Sequence, residues 1–176
     1  MFKHSDLIMR TVEEGDLEKM RKLRNDPSTW TMLEHVNFID AEAQRQWFQK
    51  IRSASTDRRY YILCDDQNDF IGIVRSDQID QANRSIRIGV DIVPELRGKG
   101  FGSRAFQLLK KFCFDYLNMH RVWLAVLETN KVALALYKKQ GFKKEGIYRS
   151  AVFRDGKYLD YIIMSILEDE YRAKRL

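Results

Sequence analysis

VDIVPELRGKGFGSRAFQLLKKF, residues 90–112, is the stretch on which the fold turns. Its first residues close an alternating run, SIRIGVDIV (85–93), in which Ile86, Ile88, Val90 and Ile92 face one way and Ser85, Arg87, Gly89 and Asp91 the other, the period of a half-buried strand. Pro94 breaks the run. Arg97-Gly98-Lys99-Gly100-Phe101-Gly102 follows, and then a helix is expected over roughly 100–117, with Phe101, Ala105, Leu108, Leu109, Phe112 and Tyr116 inward. Amides at a helix start lack partners and carry partial positive charge, so they attract phosphate. Glycines let an anion approach the backbone without a Cβ in the way, and Arg97 and Lys99 add positive charge. The strand-to-helix junction therefore has the chemistry of a pyrophosphate cradle.

Three kinds of cradle compete for it. A G-x-x-x-x-G-K-[ST] loop is absent from the chain. The dinucleotide fingerprint G-x-G-x-x-[GA] is present as Gly100, Gly102 and Ala105, with Glu128 ending the next strand. Its glycines lie several residues beyond the strand, however, and too little chain follows Glu128 for the rest of a doubly wound sheet. The third pattern, [RQ]-x-x-G-x-[GA], is met by Arg97, Gly100 and Gly102.

Outward from this junction the sequence predicts β-α-α-β-β-β-α-β-α-β-β. LIMRTV (7–12) reads as a strand, and Asp16 starts a helix holding Leu17, Met20 and Leu23, ended by Asn25-Asp26-Pro27. Asp40 caps a second helix with Ala43, Trp47, Phe48 and Ile51 on one side. RYYILCD (59–65) and FIGIVRSD (70–77) form a hairpin around Asp66-Gln67-Asn68-Asp69. RVWLAVLE (121–128) is a strand, about 131–140 a helix stopped by Gly141, and 142–153 and 157–166 a closing hairpin turning at Arg154-Asp155-Gly156-Lys157. The expectation is a mixed α/β (α+β) domain spanning 1–176. Its sheet, mostly antiparallel and of about seven strands, carries one central β-α-β unit with flanking helices.

Bulk properties narrow the function. The chain is 44% hydrophobic and 32% charged, so it can bury a core and solvate its surface. A net charge of +6 points to an anionic partner, but the basic residues are scattered among acids, which argues against nucleic acid. Cys64 and Cys113 make no metal spacing with His4, His35 or His120, and two isolated thiols fit a cytoplasmic, reducing setting. No metal site is expected. No apolar run approaches a membrane span, so no membrane partner is expected.

A second motif lies downstream. ETNKVALALYKKQGF (128–142) is similar to the N-x-x-A-x-x-x-Y-x-x-x-G-F element of the GNAT N-acetyltransferase family, through Asn130, Ala133, Tyr137, Gly141 and Phe142. The glycine turn resembles that family's acetyl-CoA-binding motif. The opening MRTVEEGDLEKMRKLRND and the closing KKEGIYRSAVFRDGKYLDYIIMSI resemble the subgroup of ribosomal-protein N-terminal, spermidine and amino-sugar acetyltransferases.

The resemblance implies that strand 85–93 carries a bulge and splays from its parallel neighbour 121–128, and that acetyl-CoA enters the wedge. It implies pantetheine pairing near Ile92 and Val93, and pyrophosphate on the amides of Gly98, Lys99, Gly100, Phe101, Gly102 and Ser103, with Arg97 beside them. It implies an oxyanion donor among the amides near Asp91 or Ile92, Asn130 on the cofactor arm or capping its helix, and Tyr137 as the acid that protonates the departing thiolate. A carboxylate must take the proton of the attacking amine. The candidates are Glu34, Asp91 and Glu128, with Glu34 and Glu128 preferred and His35 a remoter option.

The implied reaction is acetyl transfer to a primary amine of a small metabolite by direct attack in a ternary complex. The acceptor wall would come from about 24–50, where Trp30, Met32, Glu34, His35 and Phe38 stand, and from the closing hairpin. Glu34, Asp40 and Glu42 suit a polyamine; Arg24, Arg45, Arg58, Arg59 and Trp47 suit a nucleotide-linked amino sugar. A protein N-terminal acetyltransferase and a non-catalytic acyl-CoA-binding module are the alternatives, and a homodimer is compatible with the family.

Overall fold

The computed structural model describes residues 1–53 and 58–173. Eight strands form one sheet: β1 (Phe2–His4), β2 (Leu7–Thr11), β3 (Arg59–Cys64), β4 (Phe70–Asp80), β5 (Ser85–Ile92), β6 (Arg121–Leu127), β7 (Lys143–Arg154) and β8 (Lys157–Leu167). Their order is β1-β2-β3-β4-β5-β6-β8-β7. Every neighbouring pair is antiparallel except β5–β6. The helices are α1 (Leu17–Asn25), α2 (Pro27–Trp30), α3 (Ala41–Ser53), α4 (Phe101–Lys111), α5 (Lys131–Lys139) and α6 (Glu168–Ala173). The mixed, mostly antiparallel architecture is the expected one, with one strand and two short helices more than the sequence suggested.

Strand alternation divides the core. Leu63 packs with Leu7, Ile86, Ile88 and the α4 residues Ala105, Phe106, Leu108 and Leu109. Ile62 and Cys64, its neighbours in β3, face the other way onto Met20 and Leu23 of α1 and Trp47 of α3. Phe106, Leu108 and Leu109 are essentially inaccessible, each worth about 1.5–3 kcal/mol of burial.

Three local expectations are corrected. In α3 it is Gln44, with Phe48, that is buried, while Ala43 is exposed and donates its N–H to the capping Asp40 carboxylate at 2.7 Å. Tyr116 is exposed, because α4 runs on into a π turn over Phe112–Tyr116 whose closing bond is Leu117 N–H to Phe112 O at 3.0 Å. The wider turn shifts the helical phase, so Cys113 and Phe114 point inward instead. Tyr116 lies edge-on to Phe2 of the unforeseen β1, centroids 4.9 Å apart. The expected bulge is not in β5, which runs regularly from Arg87 to Ile92 against β4; the irregularity lies in β4 between Asp77 and Asp80, where Gln78 adopts φ 48°.

The β-α-β unit is where the sheet comes apart. β5 and β6 are paired at Ser85–Arg121, Ile86–Val122 and Arg87–Trp123 and at no later residue. Beyond Arg87, β5 follows β4 toward Ile92, while β6 follows β8 toward Leu127. A wedge opens between two strands that each keep a partner on the outer side.

Candidate active site

The wedge widens into a cleft of about 390 Å³ bounded by β5, β6, the starts of α4 and α5, and the loop after α2. Its β5 wall presents free main chain. Val93 N–H donates to Ile71 O of β4 at 3.0 Å, which turns the odd-numbered residues of β5 toward β4. By alternation the amides of Val90 and Ile92 face the gap left by β6. Ile92 O takes the Arg97 Nε–H at 2.9 Å. Val93 itself does not line the cleft. Both its main-chain groups are spent, the carbonyl on Leu96 N–H at 3.0 Å.

The floor is the start of α4. Gly98 and Gly100 have φ 74° and 83°, left-handed conformations that a side chain resists. Gly102 fits a close approach to α5, since a Cβ there would stand 3.2 Å from Leu136 Cδ2. No side chain caps the helix, and its first intrahelical bond is Arg104 N–H to Gly100 O at 3.2 Å. The amides of Phe101, Gly102 and Ser103 are therefore left to an incoming acceptor.

Arg97 borders the cleft with its guanidinium already engaged. Its Nη1 donates to Ser28 Oγ at 2.6 Å and its Nη2 to Thr29 Oγ1 at 2.6 Å, so the guanidinium straps the glycine loop to α2. Lys99 is exposed on the loop and outside the cleft lining. Phe101 is outside it too, its ring covered by the Arg104 guanidinium at 4.2 Å. Ser103 lines the cleft and accepts from Gln140 Nε2 at 2.6 Å, while buried Lys110 donates to Gln140 O at 2.7 Å. These two bonds lock α4 to the end of α5 and had no sequence signature beyond ordinary helix polarity.

Asn130 caps α5 through Ala133 N–H at 3.1 Å and also borders the cleft, combining both roles expected of it. One helical stretch further on, Tyr137 lines the cleft with its ring edge-on to Phe106 at 5.0 Å and tilted against Phe142 at 6.0 Å. Burial pushes its phenol above the ordinary tyrosine range, Asp91 adds to the shift and Arg75 opposes it. The hydroxyl makes no hydrogen bond among the described residues.

The four base candidates separate. Glu34 and Asp91 line the cleft; Glu128 and His35 do not. Glu128 Oε1 accepts from Asp160 N–H at 3.1 Å, and Glu128 N–H donates to Asp160 O at 3.1 Å, so this acid extends the β6–β8 ladder. His35 is 79% exposed. Asp91 stands 3.7 Å from Arg24 Nη1, and Glu34 Oε2 stands 3.5 Å from Arg87 Nη1.

Glu34 sits on a loop clamped at several points. Asn25 donates to Ile39 O at 2.8 Å and accepts from Ile39 N–H at 2.9 Å, and Arg154 of β7 donates to Leu33 O and to Glu34 O. Sequence reading missed three cleft residues: Arg75, Arg87 and Tyr161. Tyr161 of β8 is a second phenol, pushed up to about 12 by burial first and then by the Glu34 charge. Arg87 sits on the polar side of its strand, whereas Tyr161 alternates in line with buried Leu159 and Ile163 and Arg75 with buried Ile73, so nothing in the sequence showed their common destination.

The architecture matches known proteins over nearly its whole length. A family model of the acetyltransferase (GNAT) domain matches residues 6–143. The spermidine N(1)-acetyltransferase of Vibrio cholerae is 32% identical over 171 residues, 96% of each chain. That of Escherichia coli K12 is 28% identical over 169 residues, 94% of this chain and 88% of the relative. The crystal structure of the Vibrio cholerae spermidine N-acetyltransferase with CoA and spermine has a TM-score of 0.90 at 28% identity, over 96% of this chain and 99% of the other. A dodecameric structure of that enzyme gives 0.82 at 29% identity, over 98% and 100%.

Proposed function

From the premise that this chain belongs to the GNAT acetyltransferase family and is an N-acetyltransferase, we propose that it moves the acetyl group of acetyl-CoA directly onto a primary amine of a small metabolite. One observation carries the reading. The uncapped, glycine-built start of α4, the free amides of the parted β5 and the unpartnered hydroxyl of Tyr137 border the same cleft. A non-catalytic binding module would have use for the first two and none for the third.

In this reading the amides of Phe101 to Ser103 receive the diphosphate of coenzyme A, with Gly98 and Gly100 supplying the turn. Arg97 positions that turn through Ser28 and Thr29. The pantetheine arm runs along β5, and the amide of Ile92 or Val90 polarises the thioester carbonyl. Nitrogen attacks the carbonyl carbon, the C–N bond forms and the C–S bond breaks. The nitrogen gives up one proton and the leaving sulfur gains one, so the products are an amide and a free thiol. Tyr137 donates to that sulfur, and its raised pKa keeps the phenol protonated wherever the enzyme works. Glu34 and Asp91, the two carboxylates on the cleft, are the groups able to take the ammonium proton, directly or through water.

The names of the relatives make polyamines the first acceptor class to test, and amino sugars are the second. The dodecameric relative supports self-association of this chain as well. The decisive experiment follows thiol release from acetyl-CoA with polyamines, amino-sugar nucleotides and N-terminal peptides. Saturable, acceptor-dependent release with one small amine is expected. Preference for the peptides would establish the N-terminal acetyltransferase instead, and tight acetyl-CoA binding with no release would leave the binding module.

A further inference from the structure

Arg87 stands on the last rung before the sheet parts. Its register partners are Asp77 of β4 on one side and Trp123 of β6 on the other. The guanidinium uses both. Its Nε and Nη2 donate to Asp77 at 2.5 and 3.0 Å, and its Cζ lies 5.7 Å from the centre of the Trp123 ring. The Asp77 side chain is 3% exposed and that of Arg87 14%. Arg75 Nε and Arg58 Nε stand further from the same carboxylate, at 3.4 and 3.6 Å. A forked pair between a buried acid and a nearly buried arginine fixes the plane of the guanidinium.

Nη1 is the arm left over, and it lies 3.5 Å from Glu34 Oε2 at the cleft. Glu34 has the opposite character. Its side chain is half exposed, and the loop between α2 and α3 that carries it is neither helix nor strand. Arg154 holds the main chain there, through Leu33 O and Glu34 O, and leaves the carboxylate free to turn. Its other charged neighbour among the described residues, His35 Nε2 at 3.9 Å, is itself exposed. An ion pair between two free surface side chains contributes little, since both must give up rotamers to form it. Here one partner is immobile beforehand, so only Glu34 has freedom to lose.

Asp91, the second carboxylate on the cleft, is placed differently. It stands 3.7 Å from Arg24 of α1, and its charge acts on Tyr137, where it opposes loss of the phenol proton. The charge of Glu34 acts on Tyr161 instead. We infer that Arg87, anchored by Asp77, is the positioning residue that holds Glu34 toward the acceptor, and that Glu34 rather than Asp91 takes the proton of the attacking amine. The inference rests on the reading of the cleft as an N-acetyltransferase site. The nitrogen gives its proton to Glu34, the sulfur takes one from Tyr137, and water restores both side chains between turnovers.

Arg87→Lys is the test. A lysine keeps a cation on Asp77, so the buried acid is not left alone, but one ammonium on that acid cannot also serve Glu34. Thiol release at saturating acetyl-CoA gives kcat, with the best acceptor among spermidine, a nucleoside-diphosphate amino sugar and an N-terminal peptide; calorimetry gives acetyl-CoA affinity. Glu34→Gln should lower kcat roughly 10²–10⁴-fold. Arg87→Lys should lower it about tenfold to a hundredfold with acetyl-CoA affinity unchanged. Added to Glu34→Gln it should cost nothing further, whereas added to Asp91→Asn it should keep its full cost; a merely structural role would give one factor in both backgrounds. If the lysine variant folds poorly, Asp77→Asn with Arg87→Gln removes the buried charge together with its partner and takes its place in the cycle. An unchanged kcat in Arg87→Lys, the same loss in the Glu34→Gln background as in wild type, or a larger loss from Asp91→Asn than from Glu34→Gln overturns the proposal and leaves the acetyltransferase reading intact. Acetyl-CoA bound with no thiol released by any of the three acceptors overturns both.

Discussion

Replacing Tyr137 by Phe separates chemistry from architecture. Among the described residues the hydroxyl has no hydrogen-bond partner to lose, and the ring keeps its contacts at 5.0 Å from Phe106 and 6.0 Å from Phe142. Stability should therefore change by no more than about 0.5 kcal/mol, the range of a substitution that breaks no packing and no bond. The hydroxyl also lies outside the glycine turn, so acetyl-CoA affinity should be unaltered. Turnover should fall by roughly 10²–10⁴, the usual worth of a positioned acid, or about 3–5 kcal/mol of barrier. Stopped assays of thiol release at saturating acceptor give kcat, and calorimetry gives the cofactor affinity. Tyr161→Phe is the control, because it removes the other phenol of the same cleft; it should cost much less of kcat than Tyr137→Phe. Equal kcat in wild type and Tyr137→Phe would refute the acid role, and an equal loss in both variants would assign it to neither tyrosine.

Other perturbations follow from the same geometry. Gly72→Ala puts a Cβ 2.2 Å from Asp91 O and 3.1 Å from Ile92 Cα, main-chain atoms no rotamer can relieve, so β4 must move off β5 at a cost of at least about 1–3 kcal/mol, read as a lower melting temperature with weaker acetyl-CoA binding. Gly100→Ala forces a side chain to φ 83° at about 1–2 kcal/mol, which for a chain of this size lowers the melting midpoint by about 2–8 °C and should weaken the cofactor as well. Asp16 is buried, which raises its pKa, but the Arg10 hydrogen bonds at 2.7 and 2.8 Å and the Glu13 amide outweigh this and hold it below the usual carboxylate value. Its stabilisation is thus present above about pH 4 and fades as pH falls below it; Asp16→Asn should cost about 3 kcal/mol at neutral pH and flatten the acid limb of the melting curve. At the alkaline end the unfolded chain gives up its Tyr161 proton near pH 10, before the folded chain does at about 12, so melting temperature should decline across that interval and less so in Tyr161→Phe.

Most of the fold was legible because its signals are local. Alternation fixed β5 and β6, Asp155-Gly156 with φ 48° and 78° made the closing turn, and Gly141 with φ 95° stopped α5. β1 was missed because three residues hold no period; only its pairing with β2 and the contact of Phe2 with Phe112 at 5.1 Å define it. Tyr116 was misassigned because a straight 3.6-residue period cannot anticipate a π turn. In the site, the glycines, Asn130 and Tyr137 could be found because backbone demands and helical spacing are written in sequence. Arg75, Arg87 and Tyr161 could not, since they meet across three strands and no spacing records it. Glu128 shows the converse: an acid at a strand end in the right neighbourhood, yet turned onto the Asp160 amide.

The separation of β5 from β6 after three residue pairs has a mechanical meaning. The molecule consists of two leaves, β1–β5 and β6–β8, stitched along a short spine, with the rest of the joint made by α4 and α5 lying across it. Whatever slides into the open end and bonds to β5 supplies rungs that the sheet lacks, acting as a splint. Occupancy and stiffness should therefore rise together, and the empty protein should flex most along that seam.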